Sequence, residues 1–167
     1  MRARCTYHRG MVEDDGETRE RALSALDRAA GAMVQRANRV HLYGEMLRAA
    51  GLAVEDALYP VISAVATLGP ARVADISSAA GIGPTTGSRH LSQLERLGVV
   101  RRTDDPTDAR VALVELTPHG RRVAERLRES RRRIFAELVS DWSDAEVERF
   151  SRQLQRFVDR IAERRAR

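Results

Sequence analysis

The chain has 167 residues, is 43% hydrophobic and carries a formal net charge of +5, which favours one domain, alone or with a helical extension. All 29 of its lysine and arginine positions are arginine. Arginine suits contacts with phosphate and guanine, but the codon bias of a GC-rich genome explains the same usage, so composition permits nucleic-acid binding without establishing it.

The N-terminal third is expected to be a tail followed by a long helix. Residues 1–17 mix charge and glycine with little periodicity, which predicts a disordered tail. Residues 18–53 are assigned to an N-terminal dimerisation helix, with Gly51 as its C-cap. Its apolar positions recur at spacings of three, four or seven: Leu23, Leu26, Ala30, Met33, Val34, Ala37, Val40 and Leu47. Gly31 and Gly44 weaken the prediction of one uninterrupted helix.

Three shorter helices are predicted next. Within residues 54–68 a helix begins near Tyr59, with Pro60 in its tolerated first turn, or is kinked at Pro60. Residues 72–80 and 84–97 form the next two helices, separated by the turn GIGP.

A β-hairpin is predicted over residues 99–116. Valine-rich strands flank the turn TDDPTDAR, whose Asp and Pro residues are typical of turns. A helix-turn-helix followed by a hairpin is the pattern of a winged helix, which offers one helix to the major groove of DNA and the hairpin tip to the adjoining surface. Residues 54–117 are therefore assigned to a winged helix-turn-helix, and the fold class is mainly α with a small β-hairpin wing.

Residues 118–167 are predicted to form C-terminal dimerisation helices. Thr117 is the expected N-cap of the first, with Pro118 in its first turn. Ser143 and Glu146 have the spacing of a capping box, which opens the second helix. The second helix carries an apolar stripe of Val147, Phe150, Leu154, Phe157 and Ile161. Such stripes at both ends of the chain favour a two-fold dimer over an intrachain bundle, and a dimer places two reading helices about one DNA turn apart.

The helix over 84–97 divides into two faces at about 100° per residue. The predicted buried face is Gly87, His90, Leu91, Leu94 and Leu97, where Gly87 allows the preceding helix to approach closely and His90 is a packing residue. The outer face is polar and is predicted to contact DNA through Thr85, Thr86, Ser88, Arg89, Ser92, Gln93 and Arg96. A solvated amphipathic helix is the simpler explanation for any one such segment, but its place between the turn and the hairpin favours DNA reading.

Asp108 and Arg110 lie two positions apart in the hairpin turn, so both side chains can share one face. A carboxylate at Asp108 would hold the Arg110 guanidinium extended toward a narrow minor groove, where the negative potential favours arginine. We therefore add both residues to the predicted DNA-binding set.

The run GIGPTTGSRHLSQLERLGVVRRTDDPTDARVALVELTPHG resembles the MarR family of bacterial transcription regulators. It has the family's order of recognition helix, Leu-Glu-x-x-Gly turn, Arg-rich first strand, Asp-x-Arg wing and Leu-Thr-x-x-Gly entry to the next helix. The resemblance implies that Ser88 and Arg89 touch bases or phosphates, that Arg110 enters the minor groove and that Asp108 orients it. It also implies a homodimer on double-stranded DNA. Ala109 stands where family members often carry a second arginine, so the wing is expected to contact fewer phosphates.

The resemblance further implies control by a small aromatic ligand or by an oxidant. His41, Tyr43 and Tyr59 are the candidate effector-pocket residues, although aromatic residues at helical spacing more often belong to the core. Cys5 is the single cysteine, so no intrachain disulfide forms and redox sensing lacks a resolving thiol. No signal peptide core or membrane-length apolar run is found, and a cytoplasmic protein without a membrane partner is expected.

An enzyme is not expected, since the sequence has no phosphate-binding glycine loop and no Ser-His-Asp set in a supporting context. It also lacks a His/Cys cluster with metal spacing, so neither a metal nor a cofactor is predicted. We expect a DNA-binding regulator, and specifically a repressor. The stronger alternative is a winged-helix protein that binds another protein instead of DNA.

Overall fold

The computed structural model describes the backbone of residues 9–105 and 108–165 and the side chains of residues 16–105 and 112–164. Within these ranges the elements in chain order are α1 (Arg9–Val34), α2 (Arg36–Ala49), α3 (Leu58–Leu68), α4 (Val73–Ala79), α5 (Pro84–Arg96), β1 (Val100–Asp105), β2 (Asp108–Leu116), α6 (Pro118–Leu138) and α7 (Asp144–Arg165). This order confirms the predicted mainly helical fold, with a winged helix-turn-helix between longer helices. None of the described helices combines the length and apolar character needed to cross a membrane.

The N-terminal region differs from its prediction in two respects. Helix α1 begins at Arg9, so residues 9–17 are helical and do not belong to a disordered tail; residues 1–8, with Cys5, lie outside the described residues. The predicted single helix is also divided, because Gln35 adopts φ −58° and ψ 134°. The Asn38 side chain donates a hydrogen bond to the Ala32 carbonyl (2.7 Å), which satisfies an acceptor in the last turn of α1. The break thus falls at neither Gly31 nor Gly44.

Helix α3 lies at the centre of the core. It contacts α4, α5, α6 and β2, and most of its side chains are buried. Its bounds confirm the first of the two predicted alternatives, since the helix begins at Leu58 and Pro60 occupies a first-turn position that needs no backbone donor. The side chains packed most completely include Met46, Leu47, Leu58, Val61, Ile62, Val65, Ile76, Leu91, Leu94, Val114 and Val123. Ser130 of α6 ties this core to α2 by donating to the Met46 carbonyl (3.1 Å).

Helices α4 and α5 meet at Gly87 without intervening side-chain volume. A Cβ atom at Gly87 would overlap the Ser77 hydroxyl and lie 2.8 Å from the Ser77 Cβ. Ser77 is buried, and its hydroxyl donates to the Val73 carbonyl within α4 (2.6 Å). The contact confirms the close approach predicted for Gly87. It also fixes the rotation of α5 about its own axis, because only this face of the helix fits against Ser77.

The buried face of α5 is otherwise as predicted, with one exception. His90, Leu91 and Leu94 are buried. Leu97 is 45% exposed, so its assignment to the buried face is wrong. Leu97 is the C-cap of α5 and Gly98 follows it with φ 66°, so the chain turns toward β1 before another helical position can face the core.

The wing is a two-stranded antiparallel hairpin, in register from Val100 opposite Leu116 to Asp104 opposite Ala112. The segment before α4 extends it, because Ala71 and Val114 exchange backbone hydrogen bonds of 3.1 and 2.8 Å. The helix-turn-helix and the wing are therefore joined by a backbone bridge as well as by the chain itself.

Both predicted helix caps at the C-terminal end are confirmed. Thr117 Oγ1 accepts from the Gly120 amide (2.9 Å) and donates to the Gly98 carbonyl (2.6 Å). A Cβ at Gly120 would overlap the Val99 carbonyl oxygen, which explains glycine in the Leu-Thr-x-x-Gly motif. In α7, the Ser143 amide donates to Glu146 (2.8 Å), and hydrogen bonds from the Ser143 hydroxyl and amide hold the pKa of Glu146 below its usual value.

Replacing Gly87 by alanine is predicted to destabilise the fold by about 1–3 kcal/mol, because the added methyl group overpacks the contact with Ser77. Helix propensity alone would give the opposite sign, a gain of about 1 kcal/mol. Chemical unfolding monitored by circular dichroism measures the difference. Gly31→Ala is the matched control, since no atom lies within 4 Å of a Cβ there and that variant should be as stable as the parent or more so. A stability gain in both variants would contradict the packing interpretation.

Candidate nucleic-acid interface

Helix α5 begins without a side-chain cap. Gly83 precedes it in an extended conformation (φ −69°, ψ 153°), no side chain caps the first turn, and Pro84 is the first residue of the helix. The amides of that turn point out of the helix end, where the backbone dipoles favour an anion. A phosphate group can therefore approach the start of α5 closely, because neither Gly83 nor a capping side chain covers it.

The polar face predicted for DNA contact points away from the core for four of its seven residues. Thr85, Ser88, Arg89 and Arg96 are exposed, and Ser92 and Gln93 are half-buried at the margins of this face. In the described part of the chain, the guanidinium groups of Arg89 and Arg96 have no ion-pair partner. Both side chains are thus available to an external acceptor along most of the length of α5.

Thr86 is placed differently from its predicted neighbours. It is half-buried and lines a cavity together with Ile82 and His90. At about 100° per residue it lies at the edge of the buried face, so its hydroxyl does not share the outward direction of Arg89. Its assignment to the DNA-contacting face is the least supported of the seven.

The structure describes the side chains at the helix-proximal end of the wing. The side chains predicted to contact DNA at its tip lie outside the described ones. The backbone of Asp108 and Arg110 belongs to β2, but their side chains are not among those described, so the pairing of these two residues stays a prediction. In β1, Arg101 is paired with Glu115 across the hairpin (Nη2–Oε1 2.5 Å). Arg102 is paired with Glu95 of α5 (Nε–Oε2 3.3 Å). The arginines of the first strand are therefore neutralised within the chain, unlike those of α5.

The three candidate effector-pocket residues do not line one site. Tyr43 and Tyr59 stack with ring centroids 4.6 Å apart, and Tyr59 is buried in the core, where Arg131 donates to its hydroxyl (3.2 Å). His41 is exposed and lines a separate cavity between α2 and α6, with Ile134 and Leu138. Grouping His41 with the two tyrosines is therefore wrong, because successive turns of α2 face different neighbours.

Tyr43 also lines a cavity of about 480 Å³ between α2, α3 and α5. Sequence reasoning missed its polar lining: Arg36, Arg39, Glu55, Asp56 and His90. The Nδ1 atom of His90 is buried and has no hydrogen-bond partner within the described residues. Arg36 and Arg39 lie just after the helix break at Gln35. No glycine or proline at that position predicts the break from the sequence. His90 was predicted to be buried, but nothing in the sequence indicated that its Nδ1 atom would lack a hydrogen-bond partner.

Comparison with known proteins agrees with this geometry. A family model described as MarR family matches residues 54–111, which span α3 to the first residues of β2. The HTH-type transcriptional regulator YxaD of Bacillus subtilis is 29% identical over 110 residues, covering 64% of this chain and 77% of that protein. A second regulator of that organism, YdgJ, is 35% identical over 72 residues, or 43% of this chain and 44% of its own length.

The fold over most of the chain is shared with solved MarR structures. A MarR family protein from Bacillus stearothermophilus superposes with a TM-score of 0.73 at 22% identity, covering 86% of this chain and 97% of that one. Wild-type MarR from E. coli, in its apo form, gives a TM-score of 0.66 at 21% identity over 79% of this chain and 96% of its own. The family match therefore assigns the winged helix of residues 54–111 to the MarR family, and most of the chain has the fold of solved MarR structures.

Proposed function

We propose that the protein is a repressor that binds a pseudo-palindromic operator as a homodimer, with α5 in the major groove and the wing at the adjoining minor groove. The observation that carries this proposal is the outward face of α5, where Arg89 and Arg96 have no partner within the described chain while the opposite face is fixed against the core. Its place between the turn after α4 and the hairpin favours DNA contact over a merely solvated face, because this order presents the helix to the major groove.

The exposed side chains of α5 differ in length, and so in which groups of the DNA they can contact. Thr85 and Ser88, close to the helix start, carry short hydroxyls suited to a phosphate or to the edge of a base near the backbone. Arg89 is long enough to reach a base edge, and a guanidinium can donate two hydrogen bonds to O6 and N7 of guanine. Arg96 lies about two turns further along the same side and is better placed for a phosphate on the far wall of the groove.

For the wing we propose that Arg110 enters the minor groove and that Asp108 orients it, as the family resemblance implies. The negative potential of a narrow minor groove favours an arginine there. Because Arg101 and Arg102 are already paired with Glu115 and Glu95, they add little net charge, which leaves Arg110 as the main cationic contact of this hairpin.

The variant Arg89→Ala should lose about 1–3 kcal/mol of operator binding and relax base preference at one position in each half-site. Arg89→Lys keeps the charge but not the bidentate geometry, so it should retain affinity for non-specific DNA and lose discrimination. Fluorescence anisotropy with DNA from upstream of the protein's own gene, and with single-base variants of the bound site, measures both effects. Arg126→Ala, which removes an exposed arginine of α6, is the control for net charge.

Two outcomes would count against the assignment. An Arg89→Ala protein that bound and discriminated like the parent would remove Arg89 from the reading set. Failure of the parent to bind any fragment at low salt would instead favour the alternative of a winged helix that binds another protein, since phosphate contacts alone give measurable affinity under those conditions.

The homodimer is supported by apolar side chains that this single chain leaves uncovered. Helices α1 and α7 contribute no buried residue among those described. Their exposed apolar side chains are Leu23, Leu26, Met33 and Val34 in α1 and Phe150, Leu154, Phe157, Val158 and Ile161 in α7. Stripes of this length at helical spacing exceed what a soluble monomer normally exposes, and a second copy would bury both sets.

Phe157→Asp should convert the dimer into a monomer, because it places a carboxylate at the middle of the α7 stripe. Light scattering should then give the mass of one chain, 18.7 kDa, where the parent gives about twice that value. Gln155→Asp is the matched control: Gln155 lies on the polar side, where its amide donates to Asp159 (2.8 Å), so this variant should stay dimeric. A parent protein that is monomeric at micromolar concentration would refute the proposed interface.

We also propose that a small aromatic effector releases the DNA by binding in the cavity lined by Tyr43 and His90. Arg36 and Arg39 supply positive charge beside the carboxylates of Glu55 and Asp56, and Tyr43 supplies a ring face. The buried Nδ1 of His90 lacks a partner within the described residues. Because the cavity joins α2 to α5, a ligand there would contact the dimerisation region and the reading helix at the same time.

A panel of aromatic and phenolic carboxylic acids, tested by thermal shift and by displacement of the operator, examines this proposal. Arg39→Ala should weaken binding of any acid that stabilises the parent, since it removes a charge partner from the cavity. His41→Ala should leave that binding unchanged, because His41 lines the separate cavity between α2 and α6. Loss of binding in His41→Ala with retention in Arg39→Ala would place the effector in the other cavity.

A further inference from the structure

Strand β1 of the wing is tied to both helices of the helix-turn-helix by charged side chains. Near its start, Arg102 pairs with Glu95 in the last turn of α5 (3.3 Å). At its end, Asp105 Oδ2 lies 3.7 Å from Nη2 of Arg72, the N-cap residue of α4. The two contacts hold opposite ends of the same strand, so together they restrict its rotation about the hairpin base.

The position of Arg72 explains how it reaches the wing tip. It directly follows Ala71, whose backbone is bridged to Val114 of β2. Strand β2 lies between Ala71 and β1, so the Arg72 side chain reaches past β2 to the far end of β1. Its main chain is held by the bridge, which reduces the entropy lost when the guanidinium meets Asp105.

Asp105 lies at an irregular position of the hairpin, next to the wing turn. The strand register shifts between Asp104 and Asp105, and Asp105 pairs with Asp108 at the entrance to the wing turn. An isolated two-stranded hairpin is marginally stable, and an irregularity of this kind bends it further. The Asp105 side chain is only 13% exposed, against 57% for Arg72, so the carboxylate is the more desolvated member and depends more on a charged partner.

We propose that Asp105 is a positioning residue: its contact with Arg72 sets the direction of the wing tip relative to α5, so that the tip and the reading helix meet adjacent grooves together. This inference rests on the proposed DNA-binding function and adds a residue to it. Asp105 touches no base in this scheme and acts only through the orientation of the hairpin that carries Arg110.

The proposal makes a prediction opposite in sign to simple electrostatics. Asp105 is an acidic residue on a surface that faces a polyanion, so its neutralisation should strengthen binding if charge alone matters. If Asp105 orients the wing, Asp105→Asn should weaken operator binding instead, by about two- to fivefold per wing, the range expected for a partly exposed ion pair. Asp104→Asn is the matched control, since it removes the same charge one residue earlier from an exposed side chain.

Footprinting separates orientation from affinity. In Asp105→Asn, hydroxyl-radical protection of the flanking minor groove should fall to the level seen with Arg110→Ala, while protection of major-groove guanines from methylation persists. Asp104→Asn should keep both. Arg72→Gln should cost less in the Asp105→Asn background than in the parent, because the contact it would break is already absent. Additive losses would mean that Arg72 binds phosphate by itself, and would overturn the proposal.

Two further measurements keep the test independent of stability and of operator binding. Amide hydrogen exchange of free protein should be faster in β1 and β2 of Asp105→Asn than in Asp104→Asn, with no DNA present. If Asp105→Asn unfolds, the exchange Arg72→Asp with Asp105→Arg should restore both folding and the minor-groove footprint. Equal exchange rates and equal footprints in the two Asn variants would overturn the positioning role. Failure of the parent and of Asp104→Asn to bind any DNA would count against the proposed function instead.

Discussion

The orientation of the polar face of α5, which we propose contacts DNA, depends on the contact between Gly87 and Ser77. Because no Cβ fits between α4 and α5 at this point, the two helices are closer than side chains would allow, and α5 has one rotational setting against the core. Leu91 and Leu94 then pack inward on the same side of the helix, and Arg89 and Arg96 are directed outward as a consequence. A helix that could rotate by even one residue, about 100°, would move both arginines away from a common groove.

The wing depends on a different kind of contact. Its hairpin has only two strands, so its stability and direction come from attachments at its base: the backbone bridge between Ala71 and Val114, and the close packing of Gly120 on Val99. Charged pairs add to these attachments, with Glu95 and Arg72 as the partners contributed by the helix-turn-helix. Packing therefore sets the orientation of α5, whereas backbone bridging and ion pairs set the orientation of the wing.

The elements of the winged helix were predictable because each has a local signal. Pro84 and Gly98 bracket α5, Thr117 caps α6, and valine-rich strands flank a turn rich in Asp and Pro, so predicted and observed bounds agree within one or two residues. The break at Gln35 was not predictable in this way, because a side-chain hydrogen bond from Asn38 replaces the usual glycine or proline. Leu97 shows a related limit, since helical periodicity continues past the point where Gly98 turns the chain.

The candidate site follows the same division. The outward residues of α5 were identified from periodicity, because burial on one face determines exposure on the other. The pairing of Arg101 with Glu115 depends on hairpin register, and that of Arg72 with Asp105 depends on how the segment before α4 lies along β2. Periodicity carries no information on either, and the cavity that joins Arg39 to His90 requires three helices to meet.

The distribution of charge gives these pairings a functional meaning. The arginines of β1 are neutralised within the chain, while Arg89 and Arg96 of α5 have no partner in the described region. Neutralised arginines contribute little to non-specific attraction, since phosphate affinity scales with unpaired cationic contacts. Attraction to DNA would then concentrate on the helix that we propose reads bases, and the base of the wing would contribute geometry in place of charge. Such an arrangement favours discrimination between sequences over general affinity.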